Sequence, residues 1–474
     1  MSARTARRRL VPLAVLACTA SVALGLVGCT PDDREGSTFD TTVDPADCGL
    51  EELEQADGPV EITFWHTMLR TNLEWLEAAT EQFNASQDQV KVELVQQPSY
   101  QDTFTKYKAG LQSGDLPDLV QMEETTVQQL IDSRSTVPVQ ACIDASDYDL
   151  DPFLPRALAY YEAGGVQRSM PWAISNPVLL YDKAAFRAAG LDPEKPPTTF
   201  AEVAEYSQTI VDAGVREHGI SLKVAAYIYE FLLAKSGGEY VNHGNGRQAR
   251  ADEAEFEDDA SIAVLEWWQS MVDDGLALNT GADLANIDHL LAMANGGAAM
   301  TIEASSAIGP VEAVLASGDF GDVEPAAAPL PSLDGGGGVP VGDGSLWLPD
   351  ASSLAERAAA WRFTEFLVSA ESQAGLAIAG GYAPARSDAA EVPALAEHWA
   401  AKPSFRVGYD QLLDGPLDDA TVGSLIGDYQ AVRNSIRDGM IRMLRLGDDP
   451  REVAATAKAE ADIAMQEYND RVGG

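Results

Sequence analysis

Val60-Glu-Ile-Thr-Phe-Trp65 and Val90-Lys-Val-Glu-Leu-Val95 bracket a segment in which Leu73, Leu76, Ala79 and Phe83 recur at helical spacing. Alternation of period two marks the outer pieces as strands, and the recurrence at three and four marks a helix ending near Asn84. Working outward, Tyr100 to Leu111 reads as a helix and Leu116-Pro-Asp-Leu-Val-Gln-Met122 as a short buried strand. Val178-Leu-Leu-Tyr181 starts another strand. Helices are expected at about 183–190, 199–213, 224–235 and 260–274. Ala298-Ala-Met-Thr-Ile302 and Gly344-Ser-Leu-Trp-Leu348 are later strands, and the chain is mostly helical from about 352. Strands alternating with helices imply an α/β protein whose sheet is parallel and covered on both faces. Gly335 to Gly338 reads as a flexible surface turn, because no Lys-Ser/Thr follows to make it a phosphate loop.

The N-terminus has a different character. Arg4, Arg7, Arg8 and Arg9 precede an apolar run from Leu10 to Val27, as in a signal peptide. Leu26-Val27-Gly28-Cys29 resembles a bacterial lipobox, and the resemblance implies a lipidated Cys29 as the first residue of the mature chain. Two alternatives stay open: an uncleaved apolar anchor, and Cys18 as the modified residue. Removing residues 1–28 takes four arginines and no acid, leaving 28 bases against 74 acids, or −46. That balance argues against nucleic acid, which is held by cations on phosphates, and against close adhesion to anionic lipid. Residues 30–58 carry ten acids, one base and few large apolar side chains, and read as a flexible acidic linker over 29–58. Two further cysteines, Cys48 and Cys142, form an even pair outside the cytoplasm. They are read as one disulfide, with two separate thiols as the alternative. About 415 residues follow the linker, more than one domain core usually holds.

No reaction is announced. His66, His218, His243, His289 and His398 have no metal-ligand spacing, and neither His-Glu-x-x-His nor Gly-x-Ser-x-Gly occurs. Pairs of carboxylates suited to glycoside hydrolysis arise by chance among 74 acids and carry no weight.

Several stretches together resemble the family 1 extracellular solute-binding proteins of ABC importers, and within them the sn-glycerol-3-phosphate-binding proteins. They are Ile62-Thr-Phe-Trp-His-Thr-Met68, Pro177-Val-Leu-Leu-Tyr-Asp-Lys-Ala-Ala-Phe-Arg-Ala-Ala-Gly-Leu-Asp-Pro193, Ala299-Met-Thr301, Ser345-Leu-Trp347 and Gly380-Gly-Tyr-Ala-Pro384. The resemblance runs from about Pro59 to about Thr456. It implies a two-lobed, type II periplasmic-binding-protein fold, with each lobe a sheet flanked by helices and the ligand held between them. Residues 59–172 plus about 298–347 would form the first lobe, and 173–297 plus about 348–474 the second. It further implies a monomer outside the cytoplasm, tethered through Cys29 to the outer face of the bacterial membrane. Such a protein delivers a small polar ligand to an ABC permease, without catalysis and without a cofactor or metal.

Carried over residue by residue, the family's ligand set falls on Tyr100, Glu124, Ser175, Phe200, Ser305 or Ser306, the Gly342-Asp343-Gly344 turn, Tyr382 and Arg433. A guanidinium offers a planar fork of donors to phosphate oxygens, and a carboxylate accepts hydrogen bonds from neighbouring hydroxyls. Glycerol 3-phosphate or a glycerophosphodiester is the implied ligand. Three departures make a neutral di- or oligosaccharide the alternative. Phe200 replaces the family's stacking tryptophan, Asp343 stands at a glycine whose backbone approaches phosphate, and Lys223 to Tyr229 lacks the family's tryptophans. A surface glycosidase is the third alternative.

Overall fold

The computed structural model describes residues 39–283, 287–316, 318 and 323–473. The signal-peptide segment and Cys29 lie outside them. Among the described residues no helix is long and apolar enough to cross a membrane.

Val60–His66 pairs in parallel with Val90–Gln96, from Val60 opposite Val90 to His66 opposite Gln96. Its other edge pairs with Leu119–Glu123, also in parallel. Ile62, Phe64, Trp65 and His66 are buried, as expected for a central strand covered on both faces. Phe64 meets Trp172 and Phe363 edge-on, with ring centroids 5.6 and 6.0 Å away. The sheet is not purely parallel. Gly342–Pro349 runs antiparallel to Leu119–Glu123 and also pairs antiparallel with Met170–Ser175.

A second sheet has the strand order Ala277–Asn279, His218–Leu222, Ala298–Ala304, Pro177–Asp182, Pro325–Pro329. Pro177–Asp182 is antiparallel to both its neighbours. The chain passes from one sheet to the other through the single residue Asn176, between Met170–Ser175 and Pro177–Asp182. Asn176 is held on three sides. Its Nδ2 donates to the Gly408 carbonyl at 2.9 Å, its Oδ1 accepts from Gln411 Nε2 at 2.7 Å, and its carbonyl accepts from Ser305 N at 2.9 Å. Two sheets, each flanked by helices and joined by short crossings, make the two-lobed type II architecture.

The division expected from sequence needs correction. Ala298–Ala304 belongs not to the first sheet but to the second, where it hydrogen-bonds to Pro177–Asp182 and His218–Leu222. The expected division puts helices Leu354–Leu367 and Ala370–Gly380 with the second lobe. The first of them packs instead on the first sheet, with Phe363 5.0 Å from Phe83. Tyr429–Leu446 and Pro450–Val472 do lie with the second lobe, against Ala226–Lys235 and Asp259–Asp273.

The acidic segment before Pro59 is also not a free linker throughout. Pro45–Cys48 and Leu50–Glu54 are helical, Leu53 is 2% exposed, and the segment packs on Leu354–Leu367. Cys48 is joined to Cys142 by a disulfide. The Gly335–Gly338 turn is packed rather than loose. Gly337 has φ of 83°, and a Cβ there would lie 1.9 Å from the Lys235 carbonyl oxygen. Only glycine fits that backbone and that contact.

Candidate ligand-binding site

The second strand ends at Gln96, and Ser99 caps the next helix, Tyr100–Ser113, by accepting from Asp102 N. Tyr100 is therefore delivered to the first turn, at the carboxyl end of the sheet, where α/β proteins bind ligands. Its hydroxyl accepts a hydrogen bond from Gln121 Nε2 at 2.9 Å. Glu124 follows Leu119–Glu123 directly in a short 3₁₀ turn. Arg433 lies on Tyr429–Leu446, an amphipathic helix whose inner face carries Tyr429, Val432, Arg433, Ile436 and Met440.

Arg433 joins the lobes. Its Nη2 donates to Glu124 Oε1 at 3.0 Å in the first lobe, and its Nε donates to Glu230 Oε2 at 3.0 Å in the second. Glu123 Oε1 stands 4.0 Å from Nη1. Tyr429 Oη donates to the other oxygen of Glu230, and the guanidinium lies 4.9 Å from the Tyr429 ring centre. Arg433, Glu124 and Glu230 are 8%, 2% and 6% exposed. Burial works against the Arg433 charge, but Glu230 and Glu124 more than offset it and hold the guanidinium above its ordinary pKa. Burial pushes the Glu124 carboxyl well above its usual range. Glu123 adds to the shift and Arg433 opposes it. Glu124 Oε2 is buried and finds no hydrogen-bond partner among the described residues.

A second cluster forms at the start of Gly342–Pro349. The register breaks between Gly344 and Ser345, a bulge of the kind that re-aims side chains near sites. Asp343 has φ of 69°. Its Oδ2 accepts from Ser175 Oγ at 2.5 Å and from Ser306 Oγ at 3.3 Å. Burial raises its pKa to about 6, against the lowering effect of Ser175, with Glu123 raising it further. Tyr100 and Tyr382 are raised by burial, and each also feels Asp343. Gly344 keeps this corner open: a Cβ there would come within 2.7 Å of Gln121 Nε2 and 2.9 Å of Tyr100 Oη.

The Asp343 shift fixes a pH dependence. Folded Asp343 takes its proton near pH 6 and an unfolded one near 3.8, so charged Asp343 costs up to about 3 kcal/mol above pH 6 and nothing below pH 3.8. Asp343→Asn, which tolerates the same backbone, is expected to raise the melting temperature at pH 7.5 and to leave it nearly unchanged at pH 4. Equal shifts at both pH values in thermal melts would contradict this account.

The carried-over positions thus divide. Glu124 and Arg433 meet directly. Tyr100, Ser175, Ser306, Gly342, Asp343, Gly344 and Tyr382 form the neighbouring corner, with Gly342 packed near the rings of Tyr227 and Phe231. Ser305 turns away: its Oγ is buried against Gly408. Phe200 is not part of either cluster. It is 4% exposed in the second-lobe core and stacks on Trp267, with centroids 4.5 Å apart, because a ring at a helix start gains more from core burial than from an edge position. Glu230, Tyr429 and Tyr227 were not anticipated. The signal for Glu230 is a charge in the middle of the otherwise apolar helix that Lys235 ends.

A cavity of about 400 Å³ adjoins Ser306 and Glu303. It is faced by Arg70 from the first lobe and by aliphatic side chains of Asp288–Ala294 and Ile308–Leu315 from the second. A cavity of about 550 Å³ lined by Arg134, Arg168 and Arg250 shares no residue with either cluster.

Comparison with known proteins gives this arrangement its family. The sn-glycerol-3-phosphate-binding periplasmic protein UgpB of Yersinia pestis is 25% identical over 419 residues, covering 86% of this chain and 93% of that one. Its Salmonella typhimurium counterpart is 24% identical over 424 residues, with 87% and 94% covered. The Streptomyces glaucescens GacH receptor, solved unliganded and with acarbose, superposes with a TM-score of 0.70 at 22% identity, over 86% of this chain and 99% of that one. UgpB of Mycobacterium tuberculosis, solved with glycerophosphocholine, gives 0.70 at 20% identity, over 88% and 99%. The sugar-binding protein MalE of Xanthomonas citri gives 0.73 at 17% identity, over 87% and 99%. These structures share the fold. The bacterial extracellular solute-binding protein family matches residues 78–405, most of the chain. The chain belongs to that family of solute-binding proteins.

Proposed function

We propose that this protein is the solute-binding lipoprotein of an ABC importer, anchored through Cys29, and that it takes a neutral di- or oligosaccharide between its lobes. The observation that carries the reading is the charge of the site. One guanidinium is surrounded by Glu123, Glu124 and Glu230, and Asp343 stands beside them. A phosphate entering there competes with carboxylates already bonded to Arg433 and meets like charge. Sugar hydroxyls instead find acceptors, including the unpartnered oxygen of Glu124. Acarbose in GacH and the sugar-binding role of MalE agree with this choice.

A second reading, glycerol 3-phosphate or a glycerophosphodiester, is favoured by the position of Arg433 and by the curated relatives named for that ligand. Titration calorimetry with maltose, trehalose, glycerol 3-phosphate and glycerophosphocholine separates the two. Heat from a disaccharide and none from glycerol 3-phosphate is expected. The opposite pattern selects the second reading, and release of a hydrolysis product from any of the four would make the protein an enzyme. Metabolic labelling with palmitate tests the anchor, since Cys29→Ser should abolish incorporation.

A further inference from the structure

We propose that Asp343 sets the charge of the permitted ligand, rejecting phosphorylated solutes and accepting hydroxyls of neutral ones. This rests on the reading of the interlobe clusters as the ligand site. Six non-glycine residues among those described have positive φ: Arg70, Arg134, Asp147, His243, Asn245 and Asp343. Arg134 and Asp147 close helices, and of the six only Asp343 lies inside a strand. A left-handed residue within a strand is disfavoured, and such conformations cluster where function fixes them.

The partners of the carboxylate explain what that conformation achieves. Ser175 comes from the first sheet and Ser306 from the second lobe, and both hydroxyls bond the same oxygen, Oδ2. Hydroxyls orient a carboxylate without cancelling its charge. The acids that act on it, Glu123 and Glu303, have the same sign. Oδ1 is left to accept from a ligand hydroxyl. A phosphate brought within about 4 Å of this carboxylate, at an effective dielectric of about 20, meets a repulsion that weakens binding by about 100-fold or more. A neutral polyol escapes that cost and gains an acceptor.

Two variants test the assignment. Asp343→Gly removes the charge and suits the left-handed backbone, and Asp343→Asn removes the charge while keeping the shape. Calorimetry with glycerol 3-phosphate, maltose and trehalose is run on the native protein and both variants. Both variants are expected to gain at least about 30-fold in affinity for glycerol 3-phosphate and to lose at least about 10-fold for the disaccharide. If neither variant gains affinity for glycerol 3-phosphate, the role assigned to Asp343 is wrong, even where the native protein binds a disaccharide. If the native protein binds no disaccharide but both variants gain glycerol 3-phosphate, the role of Asp343 stands and the saccharide reading falls.

Discussion

Replacement of Arg433 by alanine is expected to abolish ligand binding, by at least about 100-fold, and to cost about 3–5 kcal/mol of stability. The residue is 8% exposed and its side chain bonds two buried carboxylates, one from each lobe. Without it, Glu124 and Glu230 remain buried with no counter-charge, and that uncompensated desolvation is the larger part of the loss. The two effects are separable. Arg433→Met combined with Glu124→Gln and Glu230→Gln removes all three charges and should recover most of the stability in urea denaturation, while binding stays absent. A folded Arg433→Ala protein that bound its ligand with native affinity would remove Arg433 from the site.

The second large effect concerns Cys48 and Cys142. They lie 94 residues apart and close a loop of that length. By chain entropy such a link stabilises the fold by about 4.7 kcal/mol. Cys48→Ser with Cys142→Ser should lower the unfolding free energy by roughly that amount, measured by denaturant titration against the native protein kept oxidised. A change under about 1 kcal/mol would mean that the docked segment before Pro59 holds without its covalent link.

Local pattern and long-range pairing were not equally legible in the sequence. Val60–His66, Val90–Gln96 and the helix between them follow from residue spacing, and Phe200–Asp212 falls within the helix expected at about 199–213, where the structure shows a Thr199–Glu202 capping box. Met170–Ser175 gave no alternation, since all six residues are buried and one is proline. His218–Leu222 is short, and its Ser221 is polar; that hydroxyl is satisfied by the His289 carbonyl at 2.7 Å, a partner 68 residues away. Pro325–Pro329 begins and ends in proline, which only an edge strand tolerates. The misplacement of Ala298–Ala304 has the same root. A strand buried along most of its length, as Ala298–Ile302 is, reads alike in either sheet, and only its distant partners decide.

The candidate site was legible, through the family resemblance, at Tyr100, Glu124 and Arg433, which the structure sets just after the carboxyl ends of two strands and on the inner face of an amphipathic helix. It was not legible at Phe200, where position in a pattern stood in for chemistry. Nor was it legible at Glu230, whose role depends on a helix 203 residues further along the chain.

Asn176, the single residue between the sheets, has a consequence for how a solute is examined. Any swing of one lobe against the other about Asn176 leaves Ser175, its neighbour, and Asp343, bonded to Ser175, close to the pivot. Arg433 and Ser306 ride on the far lobe and travel with it. Parting the lobes therefore breaks the Arg433–Glu124 and Ser306–Asp343 bonds, while the Ser175–Asp343 bond at the pivot survives.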